Sequence, residues 1–208
     1  MTTQISSVTY SGPAGTLEAL IASPAGTPVG TAVIAHPHPQ FGGTMTNKVV
    51  HTIARACAHS GWQAVRFNFR GVGASQGDYD AGRGEAEDML AVVEQAAPAD
   101  APLLLAGFSF GAFVTTHVIA ALAGTRPPAK IVLVGPGVGH FDALPIAEDL
   151  HARTLVVHGE QDDTVPLADV MDWARPQALP ITVVPGGEHF FHGRLPLLKS
   201  LVERHLRS

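Results

Sequence analysis

Short apolar runs alternate with longer helical patterns from residue 29 onward, and that alternation leaves few architectures open to the chain. The runs at 29–35, 62–69, 103–106, 131–134, 155–157 and 181–184 are mostly β-branched or aliphatic and are bounded by Gly, Pro or polar residues, which predicts strands. Helical patterns at about 45–59, 84–96, 110–123, 166–175 and 194–206 fall between and after them. Strands that are apolar on both faces and each followed by a helix require a mostly parallel sheet covered on both sides, an α/β architecture. The first 28 residues differ. There, 5–10 and 17–23 flank a Gly-containing turn at 12–15, which predicts an antiparallel pair at the sheet edge. One domain over residues 1–208 accounts for the pattern, and about 20 residues between 134 and 154 leave room for a loop and a short helical turn but not for an inserted lid.

The composition fits heavy burial. Of 208 residues, 46% are hydrophobic and only 15% are charged, against about 25% charged in ordinary soluble domains, so disorder is excluded. A net charge of −5 offers no footprint for nucleic acid or anionic lipid. The uncharged run between Asp100 and Arg126 is long enough for a membrane span by length alone. Pro102 and the turn from Gly107 to Gly111 interrupt it, however, and Ser109, Thr115, Thr116 and His117 lower its hydrophobicity, so it is better read as strand, turn and helix. A lone Cys57 can form no internal disulfide, and residues 1–10 carry neither a basic cluster nor an apolar core of the secretory kind. The expected compartment is the cytoplasm.

The interruption in that uncharged run carries the chemistry. Gly107-Phe108-Ser109-Phe110-Gly111 matches G-x-S-x-G, the turn that exposes a nucleophilic serine between a strand and a helix. Gly73-Ala74-Ser75-Gln76-Gly77 matches it too, but no buried strand runs into Ser75 and no helix opens after it. Context therefore selects Ser109. A serine hydroxyl needs a base, and the base needs an acid to fix its tautomer. In a parallel sheet such partners lie on loops at the carboxyl ends of later strands. His189 follows the last predicted strand after the pair Gly186-Gly187, and Asp162 and Asp163 follow the strand before it, in the order Ser, Asp, His. Spacing does not separate the two aspartates. The pairs His36-x-His38 and His189-x-x-His192 resemble metal ligands, but the serine chemistry accounts for His189 without a metal, so neither metal nor cofactor is expected.

At these residues the chain resembles the α/β-hydrolase superfamily, and within it the small lidless bacterial serine hydrolases, of carboxylesterase-like or dienelactone-hydrolase-like type. The likeness rests on Ala35-His36-Pro37-His38-Pro39 with Gly42-Gly43, on Arg66-Phe67-Asn68-Phe69-Arg70-Gly71-Val72-Gly73, on the Ser109 turn, on Gly159-x-x-Asp162-x-x-Val165-Pro166 and on His189-Phe190-Phe191-His192-Gly193. The resemblance implies Asp162 as the acid and a structural role for the Ser75 loop. It implies oxyanion donors at the backbone N–H of Phe110 and, on the loop after residue 35, at His38 first or Gln40 second; the family's His-Gly-x becomes His36-Pro37-His38 here. Phe41, Phe110 and Phe191 are the expected walls of an apolar pocket, while Phe113 and Trp173 are expected to pack. The implied activity is hydrolysis of a small carboxylic ester or thioester by Ser109, His189 and Asp162. Two alternatives share the residues: amidase or peptidase action, and a binding module with a vestigial site.

Overall fold

The computed structural model describes residues 4–207. Its centre is an eight-stranded sheet in the order β1-β2-β4-β3-β5-β6-β7-β8. Strands β1 (Gln4–Gly12) and β2 (Gly15–Ser23) form the antiparallel hairpin expected at the edge, and β2 runs antiparallel to β4 (Gln63–Phe67). From β4 onward every pairing is parallel, through β3 (Thr31–Ala35), β5 (Leu103–Phe108), β6 (Lys130–Val134), β7 (Thr154–Gly159) and β8 (Ile181–Val184).

Alternation of side chains along the strands splits the interior in two. Val33, Ala35, Leu103 and Leu105 face one way, toward α2 (Arg83–Ala96), α3 (Phe110–Leu122) and α4 (Leu167–Ala174). Ala32, Ile34, Leu104, Ala106 and Phe108 face the other, toward α1 (Lys48–His59) and α5 (Leu195–Arg207). Every residue of β3 and β5 is buried, as strands covered on both faces must be. The α1 helix is capped by Asn47, whose side chain accepts the Val49 N–H, a local reason for its start at Lys48, three residues later than the apolar pattern suggests.

The chain places β4 on one side of β3 and then crosses to put β5 on the other. Loops leaving β3 and β5 therefore diverge, and a crevice opens at their carboxyl ends. Between β6 and β7 lie only loop and one short 3-10 turn, Glu148–Arg153, so no lid is inserted there. Among the described residues no helix is long and apolar enough to cross a membrane; the uncharged run is divided between β5 and α3.

Candidate active site

Ser109 sits directly after β5, which runs on through Gly107 and Phe108, two residues further than the apolar run indicates. Its φ of 56° and ψ of −118° form a strained turn, held by the Ser109 N–H donating to the Val134 carbonyl at 2.9 Å. The flanking glycines are required by proximity. A Cβ on Gly107 would lie 2.3 Å from the Gly111 carbonyl oxygen, and one on Gly111 would lie 2.5 Å from the carbonyl oxygens of Ala35 and His36. Only without those atoms can the first turn of α3 rest against β3 and β5.

His189 and Asp162 meet Ser109 from two neighbouring strand ends. His189 Nδ1 lies 2.7 Å from Asp162 Oδ2, and Nε2 lies 3.1 Å from Ser109 Oγ. An ionised carboxylate can only accept, so Nδ1 carries the proton and the Nε2 lone pair faces the hydroxyl. The two loops touch backbone to backbone: a Cβ on Gly159 would stand 2.5 Å from the Gly187 carbonyl oxygen, and Gln161 N–H donates to that same oxygen at 2.8 Å. Asp162 Oδ1 accepts from the Thr164 and Val165 amides at 3.0 and 2.8 Å. Burial pushes the Asp162 carboxyl up, but its hydrogen bonds from His189 and Val165, with the two nearby imidazoles, outweigh this and hold it below the usual range. Asp163, the alternative that spacing left open, is exposed and among the described residues accepts only from Thr164 Oγ1, at 3.5 Å.

The loop after β3 faces the serine across a cavity of about 300 Å³ lined by Pro37, His38, Phe41, Asn47, Thr164 and Phe190, with Ser109 and His189 at its floor. No described residue accepts from the N–H of His38 or of Phe110, whereas the Gln40 N–H donates to His38 Nδ1 at 3.2 Å. The His38 ring packs on Phe41, Tyr79, Phe110 and Phe141, with centroid separations of 4.6 to 5.6 Å.

Two of the expected pocket walls are placed differently. Phe191 is 0% exposed and belongs to the core beneath α1 and α5, with φ 54°; its neighbour Phe190, 37% exposed, lines the cavity instead. Phe110 does not border the cavity, and its ring is buried in the core under α2 and α3. Phe41 does border the cavity and is 85% exposed. Asn47, Thr164 and Phe190 were missed, because nothing in a sequence says which side of a loop meets a cleft. Phe113 and Trp173 pack on the core as expected.

The remaining motif residues are structural. Ser75 Oγ donates to the Asn68 carbonyl at 2.7 Å and accepts the Glu18 N–H at 2.9 Å, tying its loop to β2. His36 is wholly buried, its Nε2 accepting the Phe69 N–H at 3.1 Å and its Nδ1–H donating to the Pro37 carbonyl at 2.6 Å. His192 lies on the surface between Lys48 and Glu188, and no group of three or more metal-ligating side chains occurs among the described residues.

Burial lowers the His36 imidazole to about 4, only partly offset by the Pro37 carbonyl. The unfolded chain therefore binds more protons than the folded one below about pH 6.5, and stability present above that value is lost as pH falls toward 4. The expected loss reaches on the order of 3 kcal/mol at the lower end. Thermal unfolding between pH 7 and pH 4 checks this: the wild type should lose more stability over the interval than His36→Gln, and equal losses would contradict it.

These features define a class before any relative is considered: a hydrolase-type α/β sheet with a serine on a strained strand-to-helix turn. Residues 30–200 match the α/β hydrolase domain family, and the chain belongs to it. It is similar to the crystal structure of an α/β serine hydrolase without a lid from Xanthomonas campestris, with 36% identity, TM-score 0.86, and coverage of 100% of this chain and 95% of that one. It is also similar to an α/β serine hydrolase homologue from Coxiella burnetii, with 39% identity, TM-score 0.84 and 99% coverage of both chains. An uncharacterized protein from Rickettsia prowazekii is 29% identical, spanning 88% of this chain and 80% of its own length.

Proposed function

We propose that the protein is a serine hydrolase that cleaves small carboxylic esters or thioesters through an acyl-enzyme. The observation that carries this reading is the chain of contacts at 3.1 and 2.7 Å joining Ser109 Oγ, His189 and Asp162 Oδ2 at the floor of an open cavity. Ser109 Oγ attacks the substrate carbonyl carbon while His189 Nε2 takes its proton, and Asp162 stabilises the imidazolium. The charge on the carbonyl oxygen falls between the N–H groups of Phe110 and His38. At Phe110 the unpaired amides of the 13-residue helix α3 also favour negative charge. Collapse breaks the carbon–oxygen or carbon–sulfur bond, His189 returns the proton to the leaving group, and water activated by His189 then releases the acid and restores Ser109.

A cavity of about 300 Å³ bordered by Phe41 and Phe190 suits a short apolar acyl group on a small-molecule substrate; no nucleic acid, membrane or cofactor enters this scheme. A panel of aryl esters with acyl chains of increasing length tests it. Turnover that exceeds that of Ser109→Ala, and falls off as the acyl group outgrows the cavity, is expected; rates equal to Ser109→Ala across the panel would instead favour a binding module.

The donor role of His38 has its own test, because φ at His38 is −52°, within reach of proline. His38→Pro removes the N–H while keeping the backbone path and is expected to lower kcat by about 10²- to 10³-fold. His38→Ala keeps the N–H and should stay within about tenfold of wild type, the difference being the donor's share. An unchanged kcat in His38→Pro would remove His38 from the scheme.

A further inference from the structure

Behind Asp162 stands a second buried imidazole that the scheme does not use. His158, on β7, is 0% exposed. Its Nε2 lies 2.9 Å from the Val165 carbonyl oxygen and 3.7 Å from Asp162 Oδ2, the same oxygen that receives His189 Nδ1 at 2.7 Å. A carbonyl and a carboxylate both only accept, so Nε2 carries a proton directed at them. The other ring nitrogen, Nδ1, is buried and has no hydrogen-bond partner among the described residues. A protonated Nδ1 would leave a buried donor orphaned, so the ring is the neutral Nε2–H tautomer. Burial, the largest influence on this imidazole, favours the same neutral form, although Asp162 and the Val165 carbonyl pull the other way.

The geometry links this proton to the reaction. Val165 is held by His158 through its carbonyl, and the Val165 N–H in turn donates to Asp162 Oδ1 at 2.8 Å. The carboxylate is thus fixed on one oxygen by a loop that His158 braces, while its other oxygen lies between two imidazoles. An apolar ring would fill the position without an orphaned nitrogen. Whatever the imidazole adds is therefore confined to its Nε2–H.

We propose that His158 is a positioning residue: its Nε2–H braces Val165 and faces Asp162 so that Oδ2 stays aimed at His189 Nδ1. The proposal rests on the serine hydrolase reading of the site, and its test separates the two. In His158→Phe, kcat for an aryl ester is expected to fall about tenfold with KM within about twofold, and the downfield proton resonance of the His189 Nδ1–H···Asp162 bond is expected to shift upfield or broaden. His158→Gln, whose amide can still donate, should recover most of both. A His158→Phe protein with wild-type kcat and an unmoved His189 resonance would overturn the proposal. If that variant fails to fold, nitrogen chemical shifts of ¹⁵N-histidine wild type decide: the neutral Nε2–H form of His158 near pH 7 is required, and an Nδ1–H or doubly protonated ring would overturn it. The resonances need no turnover. Full activity in Ser109→Ala would end the hydrolase reading while leaving the His158 geometry to be judged by the spectra.

Discussion

Ser109→Ala is expected to lower kcat for an aryl ester by a factor of about 10⁴ or more, with the protein folded and substrate affinity little changed. The size of the effect follows from what remains. Without Oγ, His189 Nε2 has no hydroxyl to deprotonate, and in the proposed scheme catalysis is left to the N–H groups of Phe110 and His38 and to the cavity. The side chain contributes little to folding, because among the described residues the one hydrogen bond of Oγ is with His189 Nε2, at 3.1 Å. The neighbouring match to the same motif gives the control. Ser75→Ala breaks bonds to Asn68 and to Glu18, so it should cost stability, about 1 to 3 kcal/mol for buried groups left unpaired, while kcat of the folded fraction is retained. Activity lost in Ser75→Ala and kept in Ser109→Ala would reverse the assignment.

Asp162→Asn should be nearly as severe, at about 10⁴-fold in kcat. Asparagine can keep Oδ1 as acceptor for the Thr164 and Val165 amides, so the loop can hold its shape. Its amide nitrogen would then face His189 Nδ1 and donate to it, which forces the ring proton onto Nε2. A ring in that tautomer points a donor at Ser109 and cannot take its proton. Asp163→Asn, one residue away and exposed, should leave kcat within about twofold. The pair of variants, assayed with the same ester, separates a tautomer defect from a loss of negative charge in the loop, and equal losses in both would contradict the assignment to Asp162.

The frame of the molecule was legible in the sequence because burial on both faces leaves a compositional mark. The apolar runs that became β3 to β8 and the helices between them were all recognisable, and so was the edge hairpin. The strand end at Ser109 was less so. Gly107 and Phe108 do not look like strand, yet they pair with β6 because Gly107 has no Cβ to strike the first turn of α3. The later start of α1 has a local cause in the Asn47 cap, which does not disturb a hydrophobic pattern.

For the site, the sequence supplied the residue types at strand ends and the structure supplied their directions. Ser109, His189 and the pair Asp162 and Asp163 could be nominated because each follows a predicted strand, the choice of Asp162 came only from the family resemblance, and Gly159 and Gly187 could not be seen to touch until the strands were ordered. Phe190 and Phe191 show the limit most clearly. Adjacent and identical in type, they part ways in the structure, where Phe191 takes a positive φ and packs in the core while Phe190 lines the cavity. Asn47 reaches the cavity from the cap of α1, four residues past Gly43 and outside the motif there. His158 directly follows the apolar run 155–157 and so stands at a strand end like His189, but its place beside Asp162 depends on how the acid loop folds back on β7.

The central claim is that Ser109 is an activated nucleophile, and a fluorophosphonate probe tests it most directly. Its phosphorus accepts only an activated oxygen, with loss of fluoride, and the adduct stays on the residue that attacked. Peptide mapping by mass spectrometry should place one phosphonyl group on Ser109 in the wild type, with labelling absent in Ser109→Ala and strongly slowed in Asp162→Asn. Labelling that persists undiminished in Ser109→Ala, or an unlabelled folded wild type under conditions that label a known serine esterase, would contradict the account.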